Sequence, residues 1–308
     1  MNIVFMGTPG FAVPSLERLV SEGYNIKLVV TQPDKPFGRG KKIKKSEVKV
    51  KAEELGLEVY QPDKVKNEEA IEKISALNPD LIIVIAYGQI LSKKVLDIPR
   101  LGCINVHASL LPILRGAAPI NWSIINGHKK TGVTTMMMDV GLDTGDMLLK
   151  EELEITENMT AGDLHDKLSL IGSDLLMKTL EQIKNKTIIP VKQDTSLSTY
   201  APMINKSTAL INWNEKAQNV HNMVRGLNPD QIAYFIYDDK NIKVYTTIIT
   251  NEKSTHEPGT VERVDKTGIY VATSDYLIVI KELQIPGKNK MKVQDFLRGN
   301  KFEVLIKL

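Results

Sequence analysis

The sequence contains very little cysteine, few histidines and no long apolar run. Its single cysteine, Cys103, cannot form an internal disulfide, and its five histidines are scattered without the spacing of metal ligands. No apolar run approaches the roughly 18 residues of a membrane span, and the start, MNIVFMGTPG, lacks the charged lead and long apolar stretch of a signal peptide. We therefore expect a cytoplasmic protein that uses no metal and does not enter a membrane.

The chain is long enough for two domains, and its charge is unevenly distributed. Its 308 residues, 42% hydrophobic and 25% charged, are ordinary for a globular protein and suit two domains better than one. The net charge is only +3, but the segment from Lys35 to Lys51 carries eight basic residues against the single acid Glu47. Such a cluster is typical either of a solvated loop and helix face or of an arm that binds phosphates.

Short apolar runs alternate with helical patterns in the first part of the chain. The continuous runs cover 2–6, 26–31, 80–87 and 102–106, and helices are expected near 11–22, 46–55, 67–77, 117–126 and 161–185. Strands buried on both faces and separated by helices are typical of βαβ units. With further strands near 132–138 and 146–150, the sequence predicts an α/β, Rossmann-like domain whose mostly parallel sheet has helices on both faces.

The pattern changes after about residue 186. A polar connection follows, and then short alternating strands are joined by Asp-Asp-Lys, Lys-Thr-Gly and Ser-Asp turns. Roughly 100 residues of this kind predict a smaller β-barrel, and the five-stranded oligonucleotide-binding (OB) barrel is one candidate. We predict a catalytic domain over 1–188, a linker over 189–206 and an OB-like C-terminal domain over 207–308.

The first strand runs into GTPGFAVPSL (7–16), at the place where a dinucleotide-binding protein carries its phosphate-binding glycines. Pro9 and Ala12 replace the second and third glycines of that motif, and a proline has no amide to donate to a pyrophosphate. The second strand ends in Thr31-Gln32-Pro33, where a ribose-binding acid would be expected. The sequence therefore argues against NAD or a flavin and favours a tight structural turn.

A group of polar residues at the ends of two predicted strands suggests a catalytic site. Asn105 and His107 leave the same face of a strand at its carboxyl end, where open α/β sheets form their ligand crevice. Gly141 and Gly145 bracket Asp143 in a turn that can present its carboxylate. Each residue alone is typical of a structural role. Together they supply an amide donor, an imidazole and a carboxylate without a serine or cysteine nucleophile, which suits an amine attacking a carbonyl carried by a separate donor.

At this point the sequence resembles the methionyl-tRNA formyltransferases, a branch of the folate-dependent formyltransferase family, from its first strand to its C-terminal domain. The resemblance is carried by MGTPGFA, TQPDKPFGRGKK, VIAYGQIL, GCINVHASLLP followed by RGAAPI, and MDVGLDTGDM. The Asn-x-His pair, Asp143 and the Ser-Leu-Leu-Pro run are shared by all folate-dependent formyltransferases. RGAAPI, the basic loop and the C-terminal domain are specific to the tRNA enzymes and their near relatives.

The resemblance implies an activity, a donor and an acceptor. A monomer would transfer the formyl group of 10-formyltetrahydrofolate to the α-amino group of initiator methionyl-tRNA, giving formylmethionyl-tRNA for translation initiation. Asn105 and His107 would stabilise the oxyanion of the tetrahedral intermediate, and Asp143 would partner His107 and take part in proton transfer from the amine. The same chemistry on glycinamide ribonucleotide or an amino sugar nucleotide is an alternative, and so is an RNA-binding relative with an idle site.

The resemblance also implies which residues bind the two substrates. The folate-binding residues would come from two segments and are Ser109, Leu110, Leu111, Pro112, Tyr87, Gly88 and Leu91. The tRNA-binding residues would be Arg39, Lys41 and Lys42 in the basic loop and Lys206 in the predicted linker. Ordinary loop packing is the alternative for the first set, and solvation is the alternative for the second.

Two short stretches depart from the family pattern. Ile113 and Leu114 stand where family members usually have an arginine and an aromatic residue, and Asp230 and Gln231 replace the Trp-Pro of a common Asn-Pro-Trp-Pro stretch. The first change bears on the mouth of the folate site or on the contact with the nucleotide end. The second bears on packing in the C-terminal domain, and neither change touches Asn105, His107 or Asp143.

Overall fold

The computed structural model describes residues 1–37 and 42–308, without the side chains of Phe37 and Lys42. The chain divides by spatial contact into two compact units. The first unit comprises Met1–Gly116, Thr131–Leu153 and His165–Ala201, and the second comprises Ala117–Lys130, Glu154–Leu164 and Pro202–Leu308. Both units are therefore discontinuous in sequence. The predicted limits of 1–188, 189–206 and 207–308 stay a prediction.

Up to residue 201 the chain alternates strands and helices, as its apolar pattern predicted. The strands are β1 (Asn2–Gly7), β2 (Asn25–Val30), β3 (Lys35–Phe37), β4 (Lys42–Lys44), β5 (Val59–Tyr60), β6 (Leu81–Ile85), β7 (Cys103–His107), β8 (Arg115–Gly116), β9 (Lys130–Met137), β10 (Met147–Glu154) and β11 (Tyr200–Ala201). The helices are α1 (Val13–Ser21), α2 (Glu47–Glu54), α3 (Glu68–Ala76), α4 (Lys93–Leu96), α5 (Pro119–Ile125) and α6 (Ala161–Lys184), with 3-10 turns at Gly10–Ala12 and Thr195–Leu197.

The first unit is built on a seven-stranded sheet in the order β10-β9-β7-β6-β1-β2-β5. The strands β5, β2, β1, β6 and β7 run parallel, whereas β9 pairs antiparallel with β7. Residues 3–6 of β1 and 81–85 of β6 are buried throughout, which explains why their sequences are continuous apolar runs. The predicted α/β fold with a mostly parallel sheet is confirmed.

The second unit carries an antiparallel sheet and a helix that the sequence analysis did not predict. After α7 (Ala217–Leu227) come β12 (Tyr234–Tyr237), β13 (Lys240–Lys253), β14 (Val261–Asp265), β15 (Gly268–Ala272), β16 (Tyr276–Gln284), β17 (Met291–Lys292) and α8 (Val293–Phe296). The sheet order is β12-β13-β16-β15-β14, and β17 also pairs with β16. The predicted C-terminal β domain is confirmed as an antiparallel sheet.

The core of the second unit explains the position of α7. Val220, Val224 and Leu227 are buried and recur at the spacing of one helix face. They pack in one apolar cluster with Trp213 and Phe235. In the described ranges, no helix has both the length and the apolar character that crossing a membrane requires.

Candidate functional site

Asn105, His107 and Asp143 lie together at the carboxyl end of β7. Asn105 Nδ2 is 3.4 Å from Asp143 Oδ1, and His107 Nδ1 is 3.6 Å from Asp143 Oδ2. The side chains of His107 and Asp143 are 6% and 12% exposed. The alternation of β7 directs Asn105 and His107 to one face, and the turn after β9 brings the carboxylate to them from 38 residues away.

The His107 ring is held from its other side by a main-chain carbonyl. Its Nε2 lies 3.0 Å from the carbonyl oxygen of Leu114. Because a carbonyl only accepts, this nitrogen carries the proton, and Nδ1 is left facing the carboxylate of Asp143. Nδ1 lies 3.6 Å from that carboxylate and pairs with it only when the ring carries a second proton. Since the Leu114 contact is made by the main chain, the departure from the family pattern at this position does not remove it.

The turn that presents Asp143 is strained and tightly packed. Asp143 has a φ of 52°, in the left-handed region that residues with a side chain rarely adopt. Its Oδ2 accepts a hydrogen bond of 2.8 Å from the Gly116 amide. A Cβ added at Gly145 would stand 1.9 Å from the carbonyl oxygen of Met137. Two main-chain segments approach so closely at Gly145 that a side chain does not fit there. The orientation of the Asp143 carboxylate is fixed by its hydrogen bond with Gly116.

The Ser-Leu-Leu-Pro run is fixed mainly through its backbone. Thr134 on β9 accepts from the Leu111 amide at 3.1 Å and donates to the Ser109 carbonyl at 2.7 Å. Ser109 donates to the Ile113 carbonyl, and Lys150 donates to the Leu111 carbonyl. Burial lowers the pKa of the Lys150 ammonium. The side chains of Ser109 and Leu111 are buried, whereas those of Leu110 and Pro112 are half-buried.

The other predicted folate-binding segment contributes its side chains to the core. Tyr87 and Leu91 are 1% and 4% exposed and pack in the apolar cluster beneath β1, β2 and β6. Burial raises the pKa of Tyr87, and its hydroxyl has no hydrogen-bond partner among the described residues. Its carbonyl accepts from Thr8 Oγ1 at 2.9 Å, and Gly88 has a φ of 85°. The side chains of Tyr87 and Leu91 are therefore not available to a ligand, whereas Gly88 between them is exposed.

Most of the predicted tRNA-binding residues have no described side chain. Arg39 and Lys41 fall outside the described residues, and Lys42 belongs to β4 without a described side chain. Lys206 is exposed on a turn of the second unit, where its carbonyl accepts from the Ala209 amide at 3.2 Å. No group of three or more His, Cys, Asp or Glu suited to a metal occurs in the part of the chain that the structure describes.

Two residues that the sequence analysis did not single out complete the site. Arg115 Nε and Nη2 donate to Gln193 Oε1 at 3.0 and 2.7 Å. Gln193 Nε2 in turn donates to the carbonyls of Asp143 and Gly145, each at 2.8 Å. Arg115 belongs to the RGAAPI motif, and Gln193 lies in the predicted linker. No sequence pattern around Gln193 indicates a functional role, and only the folded structure shows that it contacts the turn of Asp143.

Comparison with known proteins assigns the chain to a family. The family described as Formyl transferase matches residues 1–180, and its C-terminal domain matches residues 203–301. The chain therefore belongs to the formyl transferase family. It is 56% identical over 305 residues to the Methionyl-tRNA formyltransferase of Clostridium perfringens (strain 13 / Type A), covering 99% of this chain and 98% of that protein. Its identity to the protein of the same name from Ruminiclostridium cellulolyticum is 54% over 310 residues, covering 100% and 99%.

Solved structures with lower identity share the fold. A sugar 3N-formyl transferase, WlaRD, determined with dTDP and 5-N-formyl-THF, has a TM-score of 0.68 at 22% identity, covering 94% of this chain and 99% of that chain. HypX from Aquifex aeolicus in complex with tetrahydrofolic acid has a TM-score of 0.65 at 16% identity, covering 96% and 46%. These likenesses support the fold of the chain and say nothing of its acceptor.

Proposed function

We propose that this chain transfers the formyl group of 10-formyltetrahydrofolate to the α-amino group of initiator methionyl-tRNA. The observation that carries the chemistry is the Asp143 carboxylate, 12% exposed, next to the Asn105 amide and the His107 ring. The acceptor follows from the identity of 54 to 56% with methionyl-tRNA formyltransferases over almost the whole chain. A carboxylate, an imidazole and an amide, without a nucleophilic side chain, suit direct attack by a substrate amine.

The proposed reaction needs a donor for negative charge and an acceptor for a proton. The amine nitrogen forms a bond to the formyl carbon, the carbonyl oxygen becomes an oxyanion, and the bond from carbon to the folate nitrogen then breaks. The proton lost by the amine is balanced by the one gained at the leaving nitrogen. Asn105 is the best oxyanion donor, because its 3.4 Å bond to Asp143 is long and easily exchanged.

The proposed proton acceptor is Asp143, and His107 supports it. The Nε2–H of His107 is committed to the Leu114 carbonyl at 3.0 Å, so the Nδ1 edge faces the reaction. A proton can pass between this edge, the carboxylate and the amine without displacing either ring contact. While Nδ1 holds this proton, the ring presents a positive N–H edge to the developing oxyanion, as the resemblance implied. Its burial strengthens these interactions because little water screens them.

The formyl donor is proposed to lie against the two folate-binding segments. Half-buried Leu110 and Pro112 offer side-chain surface, while buried Ser109 and Leu111 fix the loop from within. Tyr87 and Leu91 act by supporting the main chain at Gly88, since their own side chains are in the core. The WlaRD and HypX structures, which contain 5-N-formyl-THF and tetrahydrofolic acid, support a folate donor for this fold.

The tRNA is proposed to bind through Arg39, Lys41 and Lys42 in the basic loop and through exposed Lys206. Cations of this kind position a nucleic acid by its phosphates and do not identify bases. Replacing the three loop residues by alanine should therefore raise KM for methionyl-tRNA and leave KM for the formyl donor unchanged. It should also weaken the salt dependence of tRNA binding, with a log-log slope smaller by about 2 to 3.

The experiment that tests the proposed function offers three amines in parallel. The protein is assayed with 10-formyltetrahydrofolate and methionyl-tRNA, glycinamide ribonucleotide or an amino sugar nucleotide. Asn105→Ala is the site variant, and Asn67→Ala is the matched control, because Asn67 is exposed and its side chain makes no capping bond. The proposal expects transfer to methionyl-tRNA only, lost with Asn105→Ala and kept with Asn67→Ala. Transfer to another amine, or no transfer at all, would overturn it.

A further inference from the structure

We propose that Gln193, oriented by Arg115, is a positioning residue for formyl transfer, acting by fixing the turn that presents Asp143. The inference rests on the proposed role of Asp143 in the reaction. It adds to that role a residue from the polar segment between α6 and β11. The observations that carry it are the hydrogen bonds of one amide group, the conformation of the turn and the burial of the arginine.

The side-chain amide of Gln193 is fully used. Both of its N–H groups are directed at the turn, one to the Asp143 carbonyl and one to the Gly145 carbonyl, each at 2.8 Å. Its oxygen accepts from Arg115 Nε at 3.0 Å and Nη2 at 2.7 Å. Because the guanidinium can only donate, the amide oxygen must face it and the amino group must face the turn. Arg115 therefore fixes which way the glutamine points.

Arg115 is itself held in place. Arg115 is only 9% exposed, and its main-chain amide donates to the Thr199 carbonyl at 2.9 Å. Arg115 and Tyr200 are partners in the short parallel pairing of β8 with β11. The next residue, Gly116, donates its amide to the Asp143 carboxylate at 2.8 Å. Asp143 is thus held twice, directly at its carboxylate by Gly116 and at its main chain through Gln193.

The backbone of Asp143 needs this support. A residue with a side chain at a φ of 52° lies in the left-handed region, where its Cβ crowds the following carbonyl oxygen. The two hydrogen bonds from Gln193 fix the carbonyls on either side of Thr144 and oppose a rotation of the intervening peptides. If they are lost, the turn can relax and the carboxylate moves away from Asn105 and His107. A misplacement of about 1 Å is enough to lower a rate by about a hundredfold.

Two variants separate the two halves of the amide. Gln193→Met keeps the length of the side chain and removes every hydrogen bond, whereas Gln193→Glu keeps an acceptor for Arg115 and places a carboxylate against two carbonyls. Gln182→Met on α6 is the matched control, because its half-buried side chain lies outside the site. We expect both Gln193 variants to lower kcat by about 10- to 100-fold with KM for both substrates changed by less than about threefold. The control should match the wild type.

Hydrogen–deuterium exchange of residues 139–146 supplies a readout that does not depend on activity. We expect faster exchange of these amides in both Gln193 variants and wild-type exchange in Gln182→Met, while the rest of the unit stays protected. General loss of protection, as from a destabilised fold, would contradict a role confined to the turn. Wild-type kcat together with wild-type exchange in Gln193→Met would overturn the inference.

The variants are also combined with Asp143→Asn. If Gln193 acts through Asp143, adding Gln193→Met to Asp143→Asn should lower the residual rate by less than about threefold. If the two residues act independently, Gln193→Met should lower the rate of Asp143→Asn by the same factor as it lowers the wild-type rate. Full additivity would therefore overturn the inference. Activity lost in Asp143→Asn but kept in Gln193→Met would overturn the inference and leave the proposed function intact. Full activity in Asp143→Asn would overturn the proposed role of Asp143 and the inference with it.

Discussion

The Nδ1 of His107 lies 3.6 Å from Oδ2 of Asp143, while the opposite nitrogen of the ring lies 3.0 Å from the Leu114 carbonyl. The ring is therefore placed between a carbonyl and a carboxylate that come from two different loops. Neither loop belongs to the strand that carries the histidine. Any change that moves one of these loops therefore alters the surroundings of the histidine without touching its side chain.

Removing the amide of Asn105 should affect the reaction more than the fold. Its side chain makes one long bond of 3.4 Å to Asp143, so little stability is lost with it. The loss of an oxyanion donor should lower kcat by about 100- to 1,000-fold. Steady-state kinetics of Asn105→Ala, with thermal unfolding of the same preparation, measure both quantities. A loss of rate matched by a loss of folded protein would show that Asn105 is structural.

A methyl group at Gly145 should disrupt the turn that carries Asp143. The added Cβ would stand 1.9 Å from the Met137 carbonyl, and backbone on both sides leaves no flexible atom to move away. Gly145→Ala should therefore lower both kcat and the unfolding temperature. Gly10→Ala is the matched control, because a Cβ there meets nothing within 4 Å. Equal behaviour of the two variants would contradict the packing described for this turn.

The single cysteine should be inert in the folded protein. Cys103 is 1% exposed, and burial, followed by the nearby Asp97, raises the pKa of its thiol to about 12. At about pH 8 almost no thiolate forms, and reagents cannot reach it. Reaction with a thiol reagent should proceed only after denaturation, with a stoichiometry of one per chain. Rapid labelling of the native protein would contradict the placement of β7 in the core.

The second unit should lose stability as the pH falls. Burial, and then the Arg225 guanidinium, lower the pKa of His221, against weaker opposing effects of Glu157 and Thr247. Once the pH falls below the ordinary histidine pKa of about 6.5, His221 is therefore protonated in the unfolded chain but stays neutral in the folded unit. Stability is retained above this pH and decreases below it by up to about 1.4 kcal/mol per pH unit.

This pH dependence can be assigned to one residue. Urea unfolding at about pH 7.5 and about pH 5.5, followed by tryptophan fluorescence, reports on the second unit, because Trp122 and Trp213 both belong to it. His221→Gln should show a smaller decrease in the free energy of unfolding than the wild type, whereas His128→Gln, which keeps His221, should show the wild-type decrease. Equal decreases in wild type and His221→Gln would rule out the assignment.

The sequence could predict those features that local pattern determines. The spacing of Asn105 and His107 on β7 and the glycines around Asp143 gave a site that the structure brings together, because strand alternation and turn chemistry act over a few residues. Gln193 could not be predicted, since its side chain contacts Asp143 across 50 residues and the acceptor there is a main-chain carbonyl, which no residue type marks. The burial of Tyr87 could not be predicted either, because the exposure of a side chain depends on packing that a family motif does not specify.

The most direct test of the whole account is single-turnover formyl transfer to methionyl-tRNA by Asp143→Asn. The matched control is Asp174→Asn, whose exposed carboxylate pairs with Arg18 on the surface of the same unit. Because Asp143 is the proposed proton acceptor, we expect its substitution to slow transfer by about a thousandfold while the control keeps the wild-type rate. Transfer by Asp143→Asn within about threefold of the wild-type rate would contradict the account.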